Sequence, residues 1–186
     1  MHNELVIVLL LHTNCTAQGV YPLNTSALNI PEGSYFKDIN NELNTYTGKW
    51  KTVVGNKITV INISKRNKVP IKFLGKNYYQ DMVDVRYEMK DINGKVLEST
   101  LETPLNGKRL MISGFRIEEN TGRLICIYYG KQCSLGNGFV YLKKQGNNQL
   151  LWSYYPQAIH VTSQNEKECK GEIYLPEGEN IVFTRQ

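Results

Sequence analysis

The stretch Asn44-Thr45-Tyr46-Thr47-Gly48-Lys49-Trp50-Lys51-Thr52-Val53-Val54 divides the chain into two kinds of sequence. Before it lie an apolar leader and a polar segment with Pro22, Pro31 and many Asn and Ser residues. After it, β-strand patterns follow one another to the end of the 186 residues. Within the stretch, Gly48 has no Cβ, so the backbone can bend there or approach another segment closely. Trp50 comes two residues later and points to the same face of an extended chain. A tryptophan at the start of a first strand can plug one end of a small barrel and bury a large apolar area.

Outward from Trp50 the period is two, not 3.6. Trp50 to Val54 is the first strand, and Gly55-Asn56 is a tight-turn signal. Ile58 to Lys65 is rich in β-branched residues and forms the second. Val69 to Leu74 contains Pro70, which fits only an edge strand. From Tyr79 to Lys90 the alternation is clear. Val83, Val85, Tyr87 and Met89 share one face, while Asp84, Arg86, Glu88 and Lys90 share the other, as in a half-buried antiparallel strand. Asn93-Gly94 is a strong hairpin signal before Val96 to Leu101. Arg109 to Ile117 contains Gly114, which predicts a bulge or tight bend. Leu124 to Tyr129, Phe139 to Lys143, Leu150 to Tyr155, Glu172 to Leu175 and Asn180 to Thr184 complete the strands. The expectation is an all-β, antiparallel meander of about eight to ten strands closing into a barrel. A two-sheet β-sandwich is the alternative.

Leu5 to Leu11 is apolar but far shorter than the roughly 18 residues of a membrane-spanning helix. With Thr13 to Gln18 after it, this run reads as a secretory signal peptide over residues 1–18, cut near Ala17 or Gln18. Its n-region has His2 and Glu4 but no Lys or Arg, and a buried N-terminal strand is the competing reading. Lipidation at Cys15 ranks second to plain cleavage, because His12, Thr13 and Asn14 do not form a small-residue lipobox. Residues 19–45 are expected to form an irregular arm and residues 46–186 a single β-barrel domain. The chain carries 22 Lys and Arg against 17 Asp and Glu, a formal charge of +5; loss of Glu4 with the leader leaves 16 acids and +6. That excess is scattered and argues against a nucleic-acid surface. In an oxidising compartment Cys126, Cys133 and Cys169 could form one disulfide. Cys126 with Cys133 and Cys133 with Cys169 remain competing pairs, with one thiol left over.

Catalytic signals are sparse. The mature chain would keep His160 alone, which excludes a multi-histidine zinc or iron site. Ser153 and Ser163 are near His160 in sequence, but no nucleophile elbow is present. Glu118-Glu119 adjoins a turn and reads as solvated. Glu98 and Glu102 share a face without an identifiable partner. No phosphate loop, dinucleotide fingerprint or zinc spacing appears. The remaining signal is aromatic: Tyr87, Phe115, Tyr129, Tyr141, Trp152 and Tyr154 lie in strands. They are the candidates to line an apolar pocket, or else to fill the core.

Two resemblances follow from these residues. Gly48-x-Trp50 before a meander resembles the opening of lipocalin-like (calycin) barrels, in which a late-strand arginine packs over the first-strand tryptophan. That resemblance implies barrel closure by Gly48, Trp50 and Arg185 through a cation–π contact. The whole chain resembles an uncharacterised family of small secreted proteins from Bacteroidota. The resemblance rests on the leader ending Ala17-Gln18, Val20-Tyr21-Pro22-Leu23-Asn24-Thr25, Asn41-Glu42-Leu43 before Tyr46-x-Gly48-x-Trp50, and Asp91-x-Asn93-Gly94-x-Val96-Leu97. Phe139-x-Tyr141-Leu142, Leu151-Trp152-x-Tyr154-Tyr155-Pro156 and Ile173-Tyr174-Leu175-Pro176 complete it. It implies export from a Gram-negative cell, and the family has no established activity. The expectation is a secreted or periplasmic, non-catalytic barrel domain, without metal or cofactor, that binds a small apolar ligand or an envelope protein. The alternative is a structural or protein-interaction β-domain with a filled core.

Overall fold

The computed structural model describes residues 17–102, 110–157, 169 and 171–186. The leader before residue 17, with Cys15, and the segment holding His160 and Ser163 lie outside the described residues. The strands are β1 (Val20–Pro22), β2 (Tyr35–Lys37), β3 (Gly48–Val54), β4 (Lys57–Phe73), β5 (Lys76–Asp91) and β6 (Val96–Ser99). They continue as β7 (Ile112–Glu118), β8 (Arg123–Tyr128), β9 (Gly138–Gln145), β10 (Gln149–Pro156) and β11 (Gly178–Arg185). Eight of them, β3-β4-β5-β7-β8-β9-β10-β11, pair antiparallel in chain order, and β11 returns to β3. The fold is therefore a closed, up-and-down antiparallel barrel, with β1, β2 and β6 outside it.

The seam is short: Trp50 pairs with Arg185 and Lys51 with Thr184. Alternate side chains on the strands point inward and form one core. Trp50, Ile61, Val83, Tyr87, Met89, Leu124, Tyr128, Leu142, Trp152, Tyr154 and Phe183 all belong to it. The period-two reading of Val83 to Met89 corresponds to that inner face. Gly114 sits at a register shift of β7 against β8, and Phe115 is the extra residue of that bulge. A Cβ at Gly114 would stand 2.7 Å from Val83 and 2.8 Å from the Cys126 sulfur, so this inward position admits only glycine.

Three expectations need correction. Ile58 to Lys65 and Val69 to Leu74 are one strand, β4, bent by a bulge between Arg66 and Val69. Pro70 fits there because a bulged hairpin beyond the barrel has edges where a missing N–H costs little. Glu172 to Leu175 is not a strand; its half-buried Ile173 and Tyr174 and buried Leu175 pack onto the core as a strap. The segment 19–45 is not wholly irregular. β1 pairs in parallel with β2, and β2 in parallel with the start of β5. The outer edge of β5 thus serves β2, then β7, then β6 along its length. The arm ends in a 3-10 turn, Leu43–Tyr46, whose Leu43 and Tyr46 are buried against the core at the β3 end of the barrel.

Candidate functional site

The barrel interior is occupied by its own side chains. Trp50, Trp152, Tyr87 and Tyr154 are 0% exposed and Tyr128 is 1% exposed. Their polar tips are satisfied internally. Trp50 Nε1 donates to the Tyr46 carbonyl at 3.0 Å and Trp152 Nε1 to the Pro176 carbonyl at 2.8 Å. The Tyr154 hydroxyl donates to the Gly136 carbonyl. The Tyr87 hydroxyl bonds Glu98 at 2.9 Å and lies 3.5 Å from the Tyr128 hydroxyl. Glu98 in turn pairs with Lys131 at 2.5 Å. Burial pushes the Tyr128 hydroxyl pKa up to about 12. It raises that of Tyr87 further, with the Tyr128 and Glu98 neighbours adding to it. These tyrosines stay protonated and act as hydrogen-bonding core residues.

The strap closes this tyrosine-rich end. Lys131 Nζ donates to the Glu172 carbonyl at 2.6 Å and stands 4.4 Å from the Tyr174 ring centroid. Lys57 pairs with the Glu172 carboxylate at 2.7 Å. Cys133 and Cys169 form a disulfide at the head of the strap, and Cys126 is free and buried in the core. At the other end, Trp50 has two cations against its ring. Arg185 is 4.4 Å and Lys144 4.3 Å from the ring centroid. Gly48, at φ +123°, leaves room for the Arg185 guanidinium, which a Cβ would meet at 2.8 Å.

Of the six aromatics put forward as ligand contacts, Tyr87, Trp152 and Tyr154 are in the interior. Tyr141 is on the outer face, between Phe139 and Tyr155 and under Arg123. Phe115 and Tyr129 are half-buried and outside the core cluster. The sequence reading missed Tyr128. The alternation Leu124, Cys126, Tyr128 was the signal for it, hidden because both faces of β8 are apolar.

A polar cleft of about 430 Å³ opens outside the barrel, where the arm meets the β4 bulge. Its base is built around two aspartates. Asn67 and Lys68 of the bulge together face the single residue Asp81, with Lys68 at φ +53°. Asp81 accepts from the Tyr35 hydroxyl at 2.5 Å, the Lys68 N–H at 2.9 Å and the Asp38 N–H at 3.0 Å. Burial pushes the Asp81 carboxyl up, but the Tyr35, Lys68 and Asp38 donors and the Lys65 charge together hold it below its ordinary value. Burial first, and then the bond to Asp81, raises the Tyr35 hydroxyl to about 12. Asp38 caps the 3-10 turn through the Glu42 and Leu43 N–H groups, at 2.8 and 3.1 Å, and pairs with Lys65 at 2.6 Å. The sequence reading pointed to neither Asp81 nor the cleft, because only the bulge and the docked arm bring these residues together. A second cleft of about 270 Å³, lined by Tyr129, Asn137 and Phe139 among others, is also on the outside. Among the described residues no group of three or more His, Cys, Asp or Glu could hold a metal ion.

A family model of unknown function, DUF6705, matches residues 1–186. The chain belongs to the DUF6705 family. No curated protein and no solved structure matches it. Family membership thus covers the arm and strap together with the DUF6705 barrel. No helix of the described residues is long and apolar enough to cross a membrane.

Proposed function

We propose that this protein is an exported, non-catalytic binding domain that works through its outer surface, with a barrel core that serves as scaffold. The observation that carries this reading is the packed interior. Trp50, Trp152, Tyr87, Tyr128, Tyr154 and Phe183 leave at most 1% of their surface exposed, and both clefts described above lie outside the barrel. Small-molecule barrels keep a concave, apolar interior of several hundred cubic ångströms for their ligands. Export fits the disulfide, which forms and persists in oxidising compartments, and the apolar leader Leu5 to Leu11. Closure of one end by a 3-10 turn, Trp50 and Arg185 supports kinship with lipocalin-like barrels as architecture, without their cavity.

The test is native mass spectrometry of the mature protein purified from its own envelope, together with uptake of fluorescent lipid probes. A bare protein mass and no probe uptake are the expected results. A co-purifying apolar mass, lost in Trp152→Ala, would replace this reading with that of an apolar-ligand carrier.

A further inference from the structure

We infer that the cleft between the arm and the β4 bulge is a binding site for a neutral, hydroxyl-rich ligand of the saccharide class. The inference rests on the outer-surface reading above and names the ligand chemistry. The volume of about 430 Å³ falls in the range of small-molecule sites, roughly 300–1,000 Å³. The lining has two lysines and two aspartates, so it carries no net charge. One of those lysines, Lys65, is already paired with Asp38. An anion would therefore find little unopposed charge, and an apolar molecule would find no Val, Leu, Ile, Met or Phe among the lining residues. What the cleft does offer is three side-chain amides, Asn41, Asn44 and Asn67. Asn44 Nδ2 donates to Asn41 Oδ1 at 3.4 Å, and the other donor and acceptor positions of the three amides, which lie side by side, stay available. Vicinal hydroxyls, which also donate and accept, match that pattern.

The site is pre-organised as well as polar. The Asp38 and Asp81 side chains are fixed by three hydrogen bonds each from the protein. A ligand would not have to order them, which removes part of the usual cost of binding. The Asn67 side-chain amide makes no hydrogen bond to the described residues, so it is free for a ligand. It is there because the bulge sets Asn67 and Lys68 opposite the single residue Asp81, and bulges recur beside functional sites.

The experiment is a titration of the isotope-labelled mature protein, followed by amide NMR. The probes are glucose and N-acetylglucosamine as free sugars, and linear tetrasaccharides of each as models of a glycan chain. The expected result is a saturable shift of the Asn44 and Asn67 side-chain amides. The Trp152 indole N–H stays in place. Asn67→Ala and Asn44→Ala, both at exposed positions, keep the dispersed spectrum and bind about tenfold more weakly, as loss of one or two hydrogen bonds requires. Tighter binding of the tetrasaccharides would identify a glycan chain as the source; equal binding would identify the free sugar. Absence of a saturable shift with every probe, or unchanged binding in both variants, overturns the inference. Movement of the Trp152 signal with a lipid probe would instead overturn the filled-barrel reading and leave this cleft untouched.

Discussion

The Arg185 guanidinium and the Lys144 ammonium both stand against the Trp50 ring, at nearly equal distances from its centroid. Arg185 is exposed, so Arg185→Ala should cost about 1 kcal/mol in urea unfolding, and a double-mutant cycle with Trp50→Phe should recover most of it as coupling. Trp50→Ala should cost more, about 3–5 kcal/mol, because it opens a cavity in a filled core. This contact was legible only as what the resemblance of Gly48-x-Trp50 to the opening of lipocalin-like barrels implies. The Asp81 knot was not legible, because Tyr35, Lys68 and Asp81 meet only after the arm docks in parallel on β5. Its pH dependence follows from the directions of the two shifts. Asp81 has a lowered pKa in the folded state. Its contribution is present above the ordinary carboxylate range, near 3.9, and is lost as pH falls through the folded value. Tyr35 is raised to about 12, so its contribution is present below the ordinary phenol value near 10 and is lost as pH rises through about 12. Limited proteolysis should therefore find the arm protected between these limits and cut outside them. In Asp81→Asn the acid limb should flatten.

At the scale of elements, the strap is fastened at its head by the disulfide and along its length by Lys57 and Lys131. Cys133 and Cys169 are 36 residues apart, and closing a loop of that size is worth about 4 kcal/mol in the chain-entropy account. Reduction, or Cys133→Ser with Cys169→Ser, should lower the urea midpoint accordingly and leave the β signature by circular dichroism. Cys126 should resist iodoacetamide in the native reduced protein and react on unfolding. It is fully buried, and burial pushes its thiol pKa far above the ordinary value. The hairpins of the barrel were readable from Gly55-Asn56, Asn93-Gly94 and the alternation of β5. The β4 bulge was not, because Lys68 adopts a left-handed conformation with no glycine or asparagine at that position to announce it. The strap was mistaken for a strand because Ile173, Tyr174 and Leu175 have strand composition. In the fold they serve as a plug against the core and do not pair as a strand.

At the scale of the molecule, eight strands enclose a core with two tryptophans and several tyrosines, and the ends are closed by different devices. One end is shut by the arm's 3-10 turn and the other by the strap. Removal of residues 19–45 should therefore do more than delete an appendage. It takes away Leu43, Leu23 and the Asp38 knot, and the remaining barrel should expose apolar surface, bind anilinonaphthalene sulfonate and lose cooperativity in thermal unfolding. The short β3–β11 seam carries a consequence for how the chain reaches this state. The Thr52 hydroxyl donates across it to the Val182 carbonyl, 130 residues away in sequence. Until β11 arrives, the nascent sheet has an open flank along β3 and the circle cannot be completed. Closure is the late, entropically expensive event of a high-contact-order topology. Refolding should accordingly be slow, and its yield should fall with protein concentration as open flanks find one another before β11 finds β3.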